Sequence, residues 1–149
     1  MVLDHQLVIQ SLINGNLDML TTSNVAFDQF FYASIAAQYG HVAVLEYLDT
    51  QGCPKNERAC EAAKDYTTLK WLHEHDYPWD PHLIIHATGY TPTTEFDRVR
   101  YVCEQGYKIT NDDIYLHNPR YLWYMFSQGY IGVWQFMYAK WRKFLYWLY

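Results

Sequence analysis

Four histidines, His73, His75, His82 and His86, crowd one short stretch of the chain and are the groups whose type and spacing could hold a metal. His82 and His86 stand at i, i+4, which would put two imidazoles on one helical face. A zinc site needs three or four ligands converging in space, and neither a His-Glu-x-x-His nor a paired Cys-x-x-Cys accompanies these histidines. The expectation is therefore no metal and no cofactor. His41, beside Gly40, reads as a turn residue whose ring nitrogen bonds to a neighbouring loop. Cys53, Cys60 and Cys103 could each act as a nucleophile, but Cys60 and Cys103 sit among apolar helix residues and Cys53 in a turn, so small buried side chains are expected. Asp112-Asp113 suits a helix start, where carboxylates meet the positive end of the dipole, better than an acid and base pair. With no converging groups, the expected protein is not an enzyme.

The elements that carry these residues are written as an imperfect repeat: an Ala-rich short helix, a turn, a second apolar helix and a closing Gly or Asp. The clearest copy runs Ala36-Ala37-Gln38-Tyr39-Gly40-His41-Val42 through Leu45 and Leu48 to Gly52-Cys53-Pro54. A second runs from Ala62-Ala63 through Leu69 and Leu72 to Asp76-Tyr77-Pro78-Trp79-Asp80, with weaker copies from Ala87 to Gly106-Tyr107 and from Ile114 to Gly129-Tyr130. The closing positions Gly52, Asp76, Gly106 and Gly129 are close to evenly spaced except for a longer interval between Asp76 and Gly106. There Gly89-Tyr90-Thr91-Pro92-Thr93-Thr94 reads as a loop that lengthens the third unit. Thr67-Thr68 and Asn118-Pro119 stand where the Gly-His turn is missing, and Val8 to Leu17 look like a degenerate first pair. Units this small cannot bury their own apolar faces and must stack, so the pattern predicts an all-α, short helical-repeat solenoid.

The stretch Ala36-Ala37-x-x-Gly40-His41-Val42-x-x-Leu45-x-x-Leu48-x-x-x-Gly52 resembles an ankyrin repeat. Gly52-Cys53-Pro54 and Leu69 through Asp80 resemble the divergent version found in large and giant DNA viruses, whose units close on Gly-Cys-Pro-Trp-Asp. The Thr-Pro-Leu-His opening of a standard unit is absent and the spacing is short, so short loops are expected in place of projecting hairpins. What the resemblance implies is a non-enzymatic adaptor that binds another protein, in a host cytoplasm or a virion.

Composition fits that reading. The chain has 149 residues, is 50% apolar and carries a net charge of −5, enough apolar surface for one ordered domain. All 16 acidic residues precede residue 131, together with 8 of the 11 basic ones, and an acidic body offers no field for a phosphate backbone. Three cysteines make no disulfide framework, and the first residues lack the basic and apolar runs of a signal peptide. No apolar run approaches the length that spans a membrane. Tyr, with 15 copies, fills positions that Leu and Val fill elsewhere, which suits seams and contact surfaces.

Tyr77, Tyr107 and Tyr130, with Trp79, occupy matching closing-loop positions, and so read either as a row of binding aromatics or as packing between units, with packing favoured for Trp79. Arg58, Glu61 and Lys64 on an inner helix would supply specificity. Residues 1–130 form the repeat region and 131–149 a distinct aromatic, basic segment. In the latter Trp134, Met137, Trp141, Phe144 and Leu148 recur at 3-4-3-4 spacing, with Lys140, Arg142 and Lys143 off that stripe. It reads as a C-terminal capping helix, or as a contact with a membrane surface or a second subunit. A structural virion component assembled through that segment and the repeat faces is the alternative to the adaptor.

Overall fold

Glycine and asparagine or aspartate punctuate this chain into short helices, and most helix ends can be traced to one of these residue types. The computed structural model describes residues 2–23, 25–86, 92–110, 113, 119–132 and 136, with only the backbone described at 2–4, 86, 92–95 and 119–122. Among the described residues the regular elements are all helical: α1 Val2–Asn14, α2 Leu17–Thr22, α3 Phe31–Tyr39, α4 Val42–Thr50, α5 Glu57–Ala62, α6 Tyr66–Glu74, α7 Pro81–His86, α8 Pro92–Glu104 and α9 Pro119–Ser127. No strand occurs among them, in keeping with closing loops too short for a hairpin.

The four closing positions share one conformation. Gly52, Asp76, Gly106 and Gly129 all have positive φ, and the residue after each donates its backbone N–H five residues back: Cys53 to Leu48, Tyr77 to Leu72, Tyr107 to Val102 and Tyr130 to Met125. This is the Schellman closure of a helix C-terminus, in which glycine avoids the steric cost of the left-handed region. Asp76, at φ 58°, is the one non-glycine residue among the described ones to adopt it. Gly15 and Gly40 close α1 and α3 in the same way, with Asn16 N–H to Ser11 and His41 N–H to Ala36.

The starts of α2, α6 and α7 are capped by side chains, whereas α3, α4 and α5 have no side-chain cap. Asn16, Asp65 and Asp80 accept backbone N–H bonds from Met19, Thr68 and His82 respectively. Asp65 corrects the sequence reading: Thr67 and Thr68 lie inside α6, and the turn is formed by residues 63–65. The Asp65 carboxylate takes both the N–H and the hydroxyl of Thr68, which fixes the helix start two residues earlier than the threonines suggest. Pro92, Thr93 and Thr94 are likewise in α8, proline being suited to the first helical position.

Contacts follow chain order. α1 packs on α2 and α3, α3 on α4 and α5, α5 on α6 and α7, and α7 on α8, while α2 meets α4 and α6 meets α8. α9 meets α8 through Phe96 and Tyr124, whose rings lie 4.7 Å apart. The core is a run of small and branched residues along this series: Leu12, Ala33, Ala36, Ala37, Leu45, Leu48, Ala59, Cys60, Leu69, Leu72, Ile84 and Val102 are all buried. The alanines allow close helix approach and the leucines fill the space between pairs.

Candidate interaction surface

The C-termini of α1, α3 and α5, the first and inner helix of successive pairs, are each covered by a donor from the following pair. The Nε2–H of His41 donates to the Ile13 carbonyl at 2.9 Å, as expected of a turn histidine. Lys64 donates its backbone N–H to Ala37 and its ammonium to Tyr39. Arg98 is 1% exposed and donates to the carbonyls of Ala63, Glu61 and Ile84 at 3.0, 2.7 and 3.1 Å. Donors and cations belong at the carbonyl-rich, negative end of a helix, so these residues tie consecutive pairs together. Sequence reasoning missed Arg98. Its spacing of four from Val102 puts it on the apolar stripe of α8, and a cation on an apolar stripe is the signal that marks it.

The groups with chemical potential are occupied structurally. All three cysteines are buried. Burial pushes the Cys60 and Cys103 thiols up to about 12 and raises Cys53 as well, so none is a thiolate at neutral pH. His73 shares a 2.7 Å hydrogen bond with the Tyr101 hydroxyl and packs on Trp79, while His75 donates to the Trp71 carbonyl. His82 lies 4.0 Å from the buried carboxylate of Asp113, and the side chain of His86 lies outside the described residues. Asp113 accepts from the N–H and hydroxyl of Thr110 and from the Tyr107 hydroxyl, which is one half of a capping box; Asp112 lies outside the described residues. No cluster of three or more His, Cys, Asp or Glu side chains converges among the described residues.

The closing aromatics do not form the exposed row. Tyr77 is 2% exposed, and its ring stands beside Trp71 and under the Lys55 ammonium, so it cannot present a face to a partner. The reason is the Schellman turn itself, whose residue after the left-handed position folds back onto its own helix. Tyr107, Tyr130 and Trp79 are half-buried against the core, Tyr107 bonded to Asp113 and Trp79 packed on His73 and Tyr101. Burial and the adjacent Asp113 carboxylate push the Tyr107 hydroxyl up to about 12.

Exposed instead are residues at the starts of the inner helices. Phe30 precedes α3, Arg58 is the second residue of α5 and Leu83 the third of α7. Phe30 is 43% and Leu83 41% exposed. The Arg58 guanidinium lies 5.6 Å from the centre of the Phe30 ring, spanning the step from α3 to α5. Phe30 and Arg58 thus share an edge at the step from α3 to α5, and Leu83 is an exposed residue of α7, the next helix in contact. Of the charges read from the sequence, Arg58 is exposed on this edge, Glu61 is half-buried beside it, and the Lys64 ammonium is engaged with Tyr39. Trp134, Lys140, Trp141, Arg142 and Lys143 lie outside the described residues. No helix among the described residues is long and apolar enough to cross a membrane.

Comparison with protein-family models, with curated proteins and with solved structures finds no match.

Proposed function

We propose that the helix pairs form a short ankyrin-like solenoid that acts as a non-enzymatic protein-interaction scaffold. The observation that carries this reading is the recurrence of one closure, a left-handed residue followed by an i→i−5 bond, at Gly52, Asp76, Gly106 and Gly129, with each pair tied to the next. The same closure also ends α1 and α3, so what supports stacked units is its recurrence at matching positions in successive pairs together with the donors that cross from one pair to another.

Binding on this reading uses the edge bearing Phe30, Arg58 and Leu83, where an aromatic, a guanidinium and a branched side chain face solvent on consecutive helices. Aromatic and Arg residues dominate interface energetics, and Phe30 and Arg58 are already held against each other at little entropic cost. A host cytoplasm or a virion is the proposed setting. Affinity purification of the tagged chain from its native cell, beside the Phe30→Ala/Arg58→Glu/Leu83→Ala variant, tests the scaffold. A protein retained by the parent and lost by an equally stable variant supports the reading, and equal recovery by both removes this edge from it.

A further inference from the structure

A cavity of about 380 Å³ opens at the α1 end of the helix series, floored by Leu7, Val8, Met19 and Val25 and edged by Ser11 and Thr22. Leu7 is 54% and Met19 46% exposed, although both lie beside core residues of α1 and α2. Large apolar side chains lining a cleft at the end of a stack mark a surface with an occupant to receive.

Charge indicates which occupant. From Met1 to Pro54 the chain contains Asp4, Asp18, Asp28, Glu46 and Asp49 and no Lys or Arg, whereas 131–149 contains Lys140, Arg142 and Lys143 and no acid. Asp18 is exposed immediately beside Met19. The basic segment also carries the Trp134, Met137, Trp141, Phe144 and Leu148 stripe, and Phe136, which stacks on Phe126 at 4.8 Å and lies near Trp123, is not a member of it.

Reach decides between the chain's own groove and another's. Residues 137–149 follow from the α9 end of the series, and a helix of that length would extend roughly 20 Å. Five helix-to-helix steps of about 9 Å separate α9 from α1 in contact order, through α8, α7, α5 and α3. We infer that the C-terminal segment 131–149 of one copy docks in the α1–α2 groove of a second copy, a head-to-tail contact driven by the aromatic stripe and steered by the opposite charges of the two ends. Such a contact is heterologous and, unless it closes into a ring, propagates. The inference rests on the proposed stacking of the helix pairs but not on the binding edge, since it uses neither Phe30, Arg58 nor Leu83, and the variants below leave that edge intact.

The test is complementation by sedimentation velocity with two variants of the full chain. Leu7→Arg blocks the groove with a like charge at an exposed position, and Trp141→Ser combined with Lys140→Glu disables the segment; circular dichroism verifies that each remains helical. The parent should gain mass with concentration, less so at high salt, and each variant alone should stay monomeric. Mixed, the two variants should give a 1:1 dimer and nothing larger, because only one intact groove and one intact segment are present. A parent that is monomeric throughout, as docking within one chain or a groove covered by other means requires, overturns the inference. So does association of Leu7→Arg alone, which a tail-to-tail contact predicts. Should both variants unfold, Lys140→Glu/Arg142→Glu/Lys143→Glu must still lower the mass of the parent assembly, and an unchanged mass has the same overturning force.

Discussion

The imidazole of His41 fills the space that a side chain on Gly15 would need: a Cβ there would stand 2.7 Å from Nδ1 and 2.8 Å from Cε1. Gly15 also has φ +68°, so the first helix pair is joined to the second at a position that admits only glycine on two separate grounds.

Gly15→Ala should cost about 3 kcal/mol, combining left-handed strain with overpacking against the ring. Gly52→Ala, at φ +75° with nothing among the described residues within 4 Å, should cost about 1 kcal/mol from strain alone. Urea denaturation of the two variants measures the difference. In the His41→Ala background the penalty at Gly15 should fall towards that at Gly52, and equal penalties in both backgrounds would show that the ring does not set it.

Arg98→Ala should destabilise by roughly 3–5 kcal/mol, because it strips charged hydrogen bonds from the carbonyls of Ala63, Glu61 and Ile84 in a buried site. Arg98→Lys should recover only part of that, a single ammonium being unable to reproduce the planar fork. Exposed Arg58→Ala should stay within about 0.5 kcal/mol of the parent. Similar losses at both positions would contradict the role given to Arg98.

The hydroxyl of Tyr77 is buried and has no hydrogen-bond partner among the described residues. Tyr77→Phe should therefore leave stability unchanged or raise it by about 1 kcal/mol, while Tyr77→Ala should cost about 3–5 kcal/mol through the cavity it leaves. A loss of ~2 kcal/mol or more on Tyr77→Phe, the cost of a broken buried bond, would mean that the hydroxyl is engaged.

Alkaline pH should weaken the fold. Cys60 and Cys103 rise from 9.0 to about 12 and Tyr101 and Tyr107 from 10.0 to about 12, in each case chiefly through burial. The unfolded chain therefore loses these protons first, so the stabilisation is complete below the ordinary thiol and phenol values and declines as pH climbs towards 12. Denaturation midpoints from neutral to alkaline pH report the decline. In the native protein at neutral pH a thiol reagent should leave all three cysteines unmodified, and rapid labelling of one without unfolding would show an open site.

The helix ends were largely legible in the sequence because they rest on local chemistry. Gly52, Gly106 and Gly129 announce left-handed closures, and Asp76 could be placed with them through the repeat register. Thr67-Thr68 misled because a threonine pair favours turns in isolation, while the deciding interaction is made by the Asp65 carboxylate just before them. Tyr77 was ambiguous for a different reason: an aromatic after a closing residue can turn inward or outward, and only packing against Trp71 and Lys55 decides. A cation on the apolar stripe of α8 marks Arg98 as unusual, but its partners are carbonyls from separate helical segments, which no local pattern encodes.

Small-angle X-ray scattering, extrapolated to zero concentration with the forward intensity fixed to one chain, tests the proposed one-directional stacking of helix pairs most directly. A chain of 149 residues packed as a compact globule has a radius of gyration of about 15 Å. Five pairs stacked at helix spacings of about 9–10 Å form a body roughly 48 Å long and 20 Å across, which should give about 16 Å and, more tellingly, an asymmetric pair-distance distribution with a long tail. A monomer at the globular value with a symmetric distribution would contradict the stack, and with it the extended binding edge.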